Sequence, residues 1–187
     1  MVRWEPDAAG RLGQAAMELY LERGYEQTTV AEIAERAGLT ARTFFRHYAD
    51  KREVLFAGAG AFQANIIAAL EAAESAAPAM EVVATALDAA ATSLGAHHEH
   101  ARQRYTVIAA NAELRERELT KMATLALALA DGLRRRDVPE PTASLAAETG
   151  VAVFRVAFER WVTEPGDLDL RQLLREAFAQ LRSLSLA

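Results

Sequence analysis

Arg42 and Arg46 stand four residues apart, and they are the side chains in this sequence best suited to bind a partner. On a helix, this spacing places both guanidinium groups on the same side. Their forked donors match a guanine edge or phosphate oxygens. A helix over residues 40–48 would have one hydrogen-bonding or basic side: Arg42, Thr43, Arg46 and His47. Its other side would be mostly aromatic: Ala41, Phe44, Phe45 and Tyr48. The segment therefore predicts a short helix that could enter a major groove.

Positive charge is concentrated around this helix. Residues 36–52 contain five Lys or Arg and one acidic residue, which gives a local net charge of +4. The whole chain of 187 residues has 21 basic and 26 acidic side chains, and its net charge is −5. The chain as a whole has no electrostatic reason to approach nucleic acid or an anionic membrane, whereas this segment has one. The alternative is a solvated surface helix, which the neighbouring elements argue against.

The elements before this helix predict a helix-turn-helix. A first helix, ending at Gly24, is indicated by a buried stripe: Leu12, Ala15, Ala16, Leu19 and Tyr20. Thr29 and Glu32 form a capping box that opens a short second helix, which stops at Gly38. Thr40 offers a new N-cap only two residues later, so the third helix must leave at a steep angle.

This pattern resembles the N-terminal DNA-binding domain of TetR-family regulators over residues 8–55. The resemblance is carried by TTVAEIAERAGLT at 28–40, TFFRHY at 43–48 and KRE at 51–53. It implies binding to double-stranded DNA, with phosphates contacted by Thr28, Thr29 and Lys51. It also implies that these residues line the groove: Thr40, Ala41, Arg42, Thr43, Arg46 and His47.

One position departs from the family pattern. The family usually has tyrosine where this chain has Phe45, and that hydroxyl often contacts the DNA backbone. Either this phosphate contact is missing here, or Tyr48, close by in the sequence, partly replaces it.

Composition predicts an all-α chain. The sequence has 42 alanines against 15 valines and isoleucines, and its five prolines fall between periodic segments. Asp50 and Glu53 open a long fourth helix that runs toward Pro78, and Gly58 and Gly60 within it could let it bend. Further helices are predicted at about 80–95, 99–111, 113–136, 142–164 and 167–184, which makes about nine in total.

Two apolar stripes near the end of the chain predict a dimer interface. The first stripe is Val153, Phe154, Ala157, Phe158 and Trp161. The second is Leu170, Leu173, Leu174, Ala177, Phe178 and Leu181. Each is wide enough to pack on two neighbours, which favours a helix pair shared by two copies of the chain.

The TetR resemblance implies a helix-turn-helix domain at 1–52 and a C-terminal ligand-sensing and dimerisation domain at 53–187. A homodimer would read a palindrome whose half-sites are about 34–36 Å or more apart. A small-molecule effector of unknown identity would change the spacing of the two reading heads, with the fourth helix as the lever. We therefore expect a ligand-responsive repressor.

Signs of catalysis are missing from the sequence. It contains no cysteine, which excludes disulfides, thiolate metal sites and cysteine nucleophiles. No nucleophile–base pair, glycine-rich phosphate loop or carboxylate pair stands at a catalytic spacing. We expect no enzymatic activity and no cofactor. The alternative is a helical small-molecule-binding protein or enzyme that uses the C-terminal cavity and only happens to carry a basic helix.

Two other features have competing interpretations. His97, His98 and His100 could bind a metal, but their spacing is wrong for one helix face and favours a solvated turn, so no metal is expected. Arg155 stands in an apolar stretch, where a surface or interface arginine is favoured over a ligand anchor.

The start of the sequence favours a cytoplasmic protein. Glu5 and Asp7 stand where a signal peptide would have its apolar stretch. No run approaches the roughly 18 apolar residues of a membrane span, so no membrane partner is expected.

Overall fold

Helices make up the regular structure of residues 7–184, the part of the chain that the computed structural model describes. That range contains no strand, as the alanine-rich composition predicts. The helices are α1 Ala8–Arg23, α2 Val30–Arg36, α3 Ala41–His47, α4 Glu53–Phe56, α5 Ala59–Ala72, α6 Ala79–Gly95, α7 His98–Ala109, α8 Ala112–Arg134, α9 Thr142–Thr163 and α10 Leu170–Leu184. The five helices predicted after Pro78 are confirmed to within about three residues. Glu5, which supports the prediction that a signal peptide is missing, lies outside the described residues.

The chain forms two compact units. Unit 1 consists of residues 1–59 and 103–115, and unit 2 of residues 60–102 and 116–187. This division does not coincide with the domain boundary predicted between residues 52 and 53. Leu55 and Phe56, beyond that boundary, are buried in the core of unit 1 together with Val107 and Ile108. Apolar burial therefore extends unit 1 past α4 and adds the end of α7 to it.

Local capping interactions define α1 as predicted. The Asp7 carboxylate accepts a hydrogen bond from the backbone N–H of Gly10 at 2.9 Å. Gly24 follows the last helical residue with a φ of 89°. Leu12 and Leu19, on the predicted stripe, are 0 % and 1 % exposed. The stripe thus faces the core of unit 1.

The turn between α2 and α3 is closed around Gly38. This residue has a φ of +66°, in the left-handed region that favours glycine. The N–H of Leu39 donates to the carbonyl oxygen of Ala34 at 2.8 Å, and the N–H of Gly38 donates to the carbonyl three residues before it at 2.9 Å. These two bonds form a Schellman motif. Arg11 of α1 adds a bond from Nη2 to the carbonyl oxygen of Ala37 at 2.5 Å, so α1 also holds the turn.

The prediction of one long fourth helix is wrong, because the chain breaks after a single turn. α4 ends at Phe56, Ala57 is extended, and Gly58 has a φ of +82° before α5 begins. A right-handed helix cannot continue through a residue in that conformation. Gly58 therefore separates two helices where the sequence predicts a bend.

Residues Glu53–Ala72 correct one expectation about membranes. These 20 residues, with a mean hydropathy of 1.4, are long and apolar enough to span a membrane by length and composition alone. A core helix of a soluble protein passes the same test. The break at Gly58 falls within the segment.

Three helices of unit 2, α6, α9 and α10, pack on one another. Trp161 of α9 is 1 % exposed, and its indole N–H donates to the carbonyl oxygen of Leu168 at 3.0 Å. This bond fixes the connection between α9 and α10. On the surface, Arg171 of α10 pairs with Asp88 of α6, with Nη2 2.5 Å from Oδ2. Apolar packing and ion pairing thus hold the same three helices.

Most residues predicted at a dimer interface are buried inside the single chain. Those at most 8 % exposed are Val153, Phe154, Ala157, Trp161, Leu170, Leu173, Leu174, Ala177 and Phe178. Phe158 and Leu181 are half-buried. The two stripes pack α9 and α10 on each other and on α6. A second copy could not reach these nine buried residues without opening the core, so their assignment to the interface is corrected. The assignment of Phe158 and Leu181 stays a prediction.

A different stripe of α9, here called the outer stripe, faces solvent. It consists of Leu145, Thr149, Ala152 and Val156, which follow at intervals of four, three and four residues and so share one side of the helix. Leu145 is 65 % exposed and Val156 is 54 % exposed. Arg155 is exposed beside it, in agreement with its interpretation as a surface arginine. Exposed apolar side chains in such a row mark a surface suited to another protein.

We expect Gly150→Ala to destabilise unit 2. A Cβ atom at Gly150 would lie 2.2 Å from Cγ1 of Val83 on α6, far inside van der Waals contact. α6 and α9 would have to move apart, which should lower the free energy of unfolding by about 1–3 kcal/mol. Urea denaturation followed by circular dichroism measures this change.

Gly60→Ala in α5 is the matched control for that substitution. A Cβ atom there meets nothing within 4 Å. Alanine should therefore raise the free energy of unfolding by roughly 0.5–1 kcal/mol through its better helix propensity. Unchanged stability of Gly150→Ala would contradict the close approach of α6 and α9.

Candidate nucleic-acid interface

The basic side of α3 faces solvent. Arg42, Arg46 and His47 are exposed and Thr43 is half-buried, whereas Phe44 on the opposite side is 0 % exposed. Within residues 7–184, neither Arg42 nor Arg46 forms an ion pair or a hydrogen bond through its side chain. Two guanidinium groups one turn apart are therefore available to an anionic partner.

The start of α3 is fixed by its predicted cap. Oγ1 of Thr40 accepts a hydrogen bond from the N–H of Thr43 at 3.2 Å, and the two hydroxyl oxygens are 3.1 Å apart. Ala41, the first residue of the helix, is exposed. The first turn thus presents short side chains, which would let the backbone approach a groove closely.

Phe45, predicted on the aromatic side of the helix and at a position where the family's tyrosine often contacts DNA, is exposed. Its side chain is 59 % exposed, and its ring packs edge-on against that of Phe44 with 5.6 Å between centroids. The surface of α3 therefore includes an apolar ring as well as two cations.

Two of the five basic residues around α3 are already paired with carboxylates. Arg36 contacts Glu22 with 2.9 Å between Nη2 and Oε2. Arg52 contacts Asp50 at 2.6 Å and also pairs with Glu113. The hydrogen bond from Arg52 holds the pKa of the Asp50 carboxyl below its ordinary value. The local excess of positive charge is therefore concentrated further, on Arg42 and Arg46.

The predicted capping box at the start of α2 is confirmed. Oε2 of Glu32 lies 2.8 Å from the backbone nitrogen of Thr29, whose Oγ1 lies 3.3 Å from the backbone nitrogen of Glu32. The bond from the Thr29 amide is the main reason that the pKa of Glu32 is lowered, with a smaller contribution from the Thr29 hydroxyl. Thr29 itself is exposed.

Thr28 is not placed to meet a phosphate. It is 1 % exposed, and its hydroxyl donates to the carbonyl oxygen of Gly24 at 2.9 Å. The hydroxyl closes the loop between α1 and α2. The phosphate contact that the resemblance implied for this residue is thus corrected, whereas the one at Thr29 stays a prediction.

The ammonium group of Lys51 is directed into unit 1. Its Nζ lies 2.8 Å from the carbonyl oxygen of Tyr25, 3.0 Å from that of Thr28 and 3.4 Å from that of Glu26. It also lies 4.3 Å from the centroid of the Tyr25 ring. These acceptors account for all three N–H donors of the group. The arrangement does not agree with the predicted phosphate contact.

Two tyrosines to which the sequence assigned no functional role hold Lys51 in place. The hydroxyl of Tyr20 donates to the backbone carbonyl oxygen of Lys51 at 2.6 Å. The rings of Tyr20 and Tyr25 meet edge-on at 5.3 Å between centroids. Burial raises the pKa of Tyr25 to about 12 and that of Tyr20 as well, so both stay protonated at neutral pH. The sequence feature that could have identified them is that Tyr20 and Tyr25 stand at and just after the end of the apolar stripe of α1.

Tyr48 does not replace the hydroxyl that Phe45 lacks. Its hydroxyl donates to the carbonyl oxygen of Ala9 at 3.0 Å, which ties the end of α3 to the start of α1. Its side chain is half-buried, and burial raises its pKa. The proton that would have bonded to a phosphate is already used inside unit 1.

Of the three clustered histidines, His98 packs in unit 2, whereas His97 and His100 are exposed. Nε2 of His98 lies 2.8 Å from the carbonyl oxygen of Trp161, and the two rings are 4.6 Å apart at their centroids. The part of the chain that the structure describes holds no group of three His, Asp or Glu side chains arranged to bind a metal ion. His98 therefore lies against α9 and not in a solvated turn.

Sequence models of two protein families match the chain. The model described as bacterial regulatory proteins of the tetR family matches residues 13–57, which include α2, α3 and α4. The model described as the MftR C-terminal domain matches residues 77–185, which is more than half of the chain.

Individual relatives agree with these matches. The HTH-type transcriptional regulator TcmR of Streptomyces glaucescens is 48 % identical over 61 residues, which are 33 % of this chain and 27 % of TcmR. The chain thus spans only about a quarter of that relative. The putative mycofactocin biosynthesis transcriptional regulator MftR of Mycobacterium tuberculosis is 26 % identical over 170 residues, which are 89 % of this chain and 85 % of MftR.

A solved structure shares the fold. FadR of Thermus thermophilus, a TetR-family transcriptional repressor solved in complex with lauroyl-CoA, superposes with a TM-score of 0.59 at 21 % identity, over 92 % of each chain. Helix-turn-helix geometry, the exposed arginines of α3 and both family matches lead to one assignment. The chain belongs to the TetR family of bacterial regulatory proteins and is a DNA-binding transcriptional regulator.

Proposed function

We propose that this protein represses transcription by binding a palindromic operator as a homodimer in the cytoplasm. The observation that carries the proposal is the pair Arg42 and Arg46, exposed and without a partner among the described residues, on a helix anchored by the buried Phe44. Each α3 would lie in a major groove and read base edges through these arginines. Symmetry then requires two half-sites separated by about one helical turn, ~34–36 Å, or a multiple of it.

The remaining side chains of α3 divide between reading and positioning. Thr40 and Thr43 would contact the DNA at the start of the helix, with Ala41 letting the backbone approach. His47 would lie at the edge of the groove beside Arg46. The exposed ring of Phe45 would make an apolar contact where other family members have a tyrosine hydroxyl, so this position would not add a phosphate contact.

The outer stripe of α9 is the surface proposed for the dimer. Leu145 and Val156 would be removed from water by the same residues of a second copy, since a twofold interface brings one patch against itself. The support is their exposure, 65 % and 54 %, on a helix whose other side is fully occupied by its own chain. Burial of such side chains stabilises by about 1.5–3 kcal/mol each.

The effector proposed for unit 2 is an acyl-CoA. FadR, which shares the fold, was solved with lauroyl-CoA. In this chain Phe62 of α5 packs against Phe154 of α9 with 6.3 Å between centroids, and Phe154 continues to Phe158 at 5.9 Å. Nζ of Lys121 in α8 lies 5.9 Å from the centroid of the Phe62 ring. Lys121 also pairs with Glu118, with 3.6 Å between Nζ and Oε1. A partly buried aromatic cluster would suit the apolar chain of such a ligand, and its anionic head would compete with Glu118 for Lys121.

We expect Arg42→Ala to weaken operator binding by about 1–3 kcal/mol and to relax the sequence preference at one base pair of each half-site. The duplex for this measurement is selected from a random pool by the wild-type protein, and affinity is measured by fluorescence anisotropy at several salt concentrations. Arg102→Ala is the control, because it also removes one positive charge from an exposed arginine, but in α7 and not in α3. Wild-type affinity and specificity in Arg42→Ala would contradict the proposed docking.

We expect the double variant Leu145→Asp with Val156→Asp to be monomeric and to bind a single half-site weakly. Placing two carboxylates on the outer stripe would put like charges face to face across the twofold axis. The matched control is Leu119→Asp with Leu127→Asp in α8, at side chains that are 53 % and 65 % exposed. Analytical ultracentrifugation measures the mass of each. A dimeric α9 variant beside a monomeric α8 variant would move the interface to α8.

We expect lauroyl-CoA to weaken operator binding by roughly 5–150-fold, the usual range of allosteric coupling, whereas coenzyme A without an acyl chain leaves it unchanged. Lys121→Met should reduce this response and keep the operator affinity of the ligand-free protein. Anisotropy titrations with saturating ligand measure both effects. Equal operator affinity with and without lauroyl-CoA would exclude acyl-CoA as the effector.

A further inference from the structure

Lys51 lies at the start of the segment that follows α3, and its contacts assign it a role other than binding DNA. We propose that Lys51 is a positioning residue, which orients the exposed Thr29 for the DNA through the loop between α1 and α2 and makes no phosphate contact itself. The inference rests on the proposed function, since it concerns how the same surface is held.

The ammonium group of Lys51 has three N–H donors. A phosphate ligand must offer at least one N–H to solvent, but the three donors of Lys51 are directed at carbonyl oxygens of Tyr25, Thr28 and Glu26. The ring of Tyr25, which is 3 % exposed, covers another side of the group at 4.3 Å. Turning Lys51 toward DNA would remove this donor from the carbonyl oxygens of Thr28 and Glu26, whereas that of Tyr25 would keep its bond from the N–H of Thr28 at 3.2 Å.

The peptide unit between Thr28 and Thr29 is held at both ends. Its carbonyl oxygen accepts from Nζ of Lys51 at 3.0 Å, and its N–H donates to the carboxylate of Glu32 at 2.8 Å. Because a peptide unit is planar, bonds to both of its ends fix its orientation. The direction in which Thr29 leaves the backbone is therefore set by Lys51 on one side and Glu32 on the other.

The backbone of Lys51 is itself anchored by α1. Its own carbonyl oxygen accepts from the Tyr20 hydroxyl at 2.6 Å, so α1 anchors the backbone of the residue whose side chain anchors the loop. Tyr20 and Tyr25 are each 3 % exposed. The hydrogen bonds that link α1 through Lys51 to the carbonyl oxygen of Thr28 are partly buried, which limits their replacement by water.

The test measures the salt dependence of binding in Lys51→Met, with the duplex selected by the wild-type protein. We expect binding roughly tenfold weaker at a fixed salt concentration, from the loss of charge-assisted hydrogen bonds, with an unchanged slope of log affinity against log salt. A slope lower by about 0.9 would identify Lys51 as a phosphate ligand and overturn the proposal. Wild-type affinity would overturn it too.

A double-mutant cycle separates positioning from general destabilisation. If Lys51 acts through Thr29, Lys51→Met should cost much less in a Thr29→Ala background than in the wild-type protein. Equal costs in both backgrounds would overturn the proposal. All variants are measured well below their melting temperatures, which circular dichroism determines first.

Tyr20→Phe tests the same tether without changing a charge or the Lys51 side chain. It should weaken binding with the wild-type salt slope, and wild-type affinity would overturn the proposed tether. Wild-type protein that showed no salt-dependent, sequence-selective binding would instead overturn the proposed function itself. The two failures are therefore distinguishable.

Discussion

The position of α3 depends on one buried ring. A seven-residue helix does not persist in water alone, so α3 exists because Phe44 is fully buried in unit 1. Burial of a phenylalanine contributes about 1.5–3 kcal/mol, more than a typical N-cap of about 1 kcal/mol such as Thr40. With Phe44 directed inward, the helical repeat directs Arg42 and Arg46 outward. The surface proposed to bind DNA is thus a consequence of core packing.

Interactions between residues close in sequence were predictable, and those between distant residues were not. The capping box of Thr29 and Glu32 joins residues three apart, so residue type and spacing suffice to identify it. Lys51 and Tyr25 are 26 residues apart, and no periodic pattern connects a lysine to backbone carbonyls at that distance. The resemblance therefore identified Lys51 as important, while its partners became visible only with the loop in place.

Amphipathic patterns predicted which faces are buried but not what buries them. Phe154 and Trp161 lie on a stripe of α9 that is buried as its spacing predicts, yet the covering helices belong to the same chain. Leu145 and Val156 form a weaker stripe, diluted by Thr149, and it is this one that faces solvent. A wide apolar face indicates how much surface must be removed from water. Whether helices of the same chain or of a second copy cover that face depends on the tertiary fold.

The break at Gly58 bears on the proposed response to an effector, which the sequence assigned to one continuous fourth helix. The chain crosses between the units at residues 59–60, 102–103 and 115–116. The first crossing follows a glycine with a φ of +82°, whereas the other two lie inside the uninterrupted helices α7 and α8. Arg104 of α7 donates to a carbonyl oxygen of α4 at 2.6 Å, and Glu113 of α8 pairs with Arg52, next to Lys51. A displacement of α7 or α8 would therefore act on the start of α4 and on the loop before α2, without a rigid fourth helix.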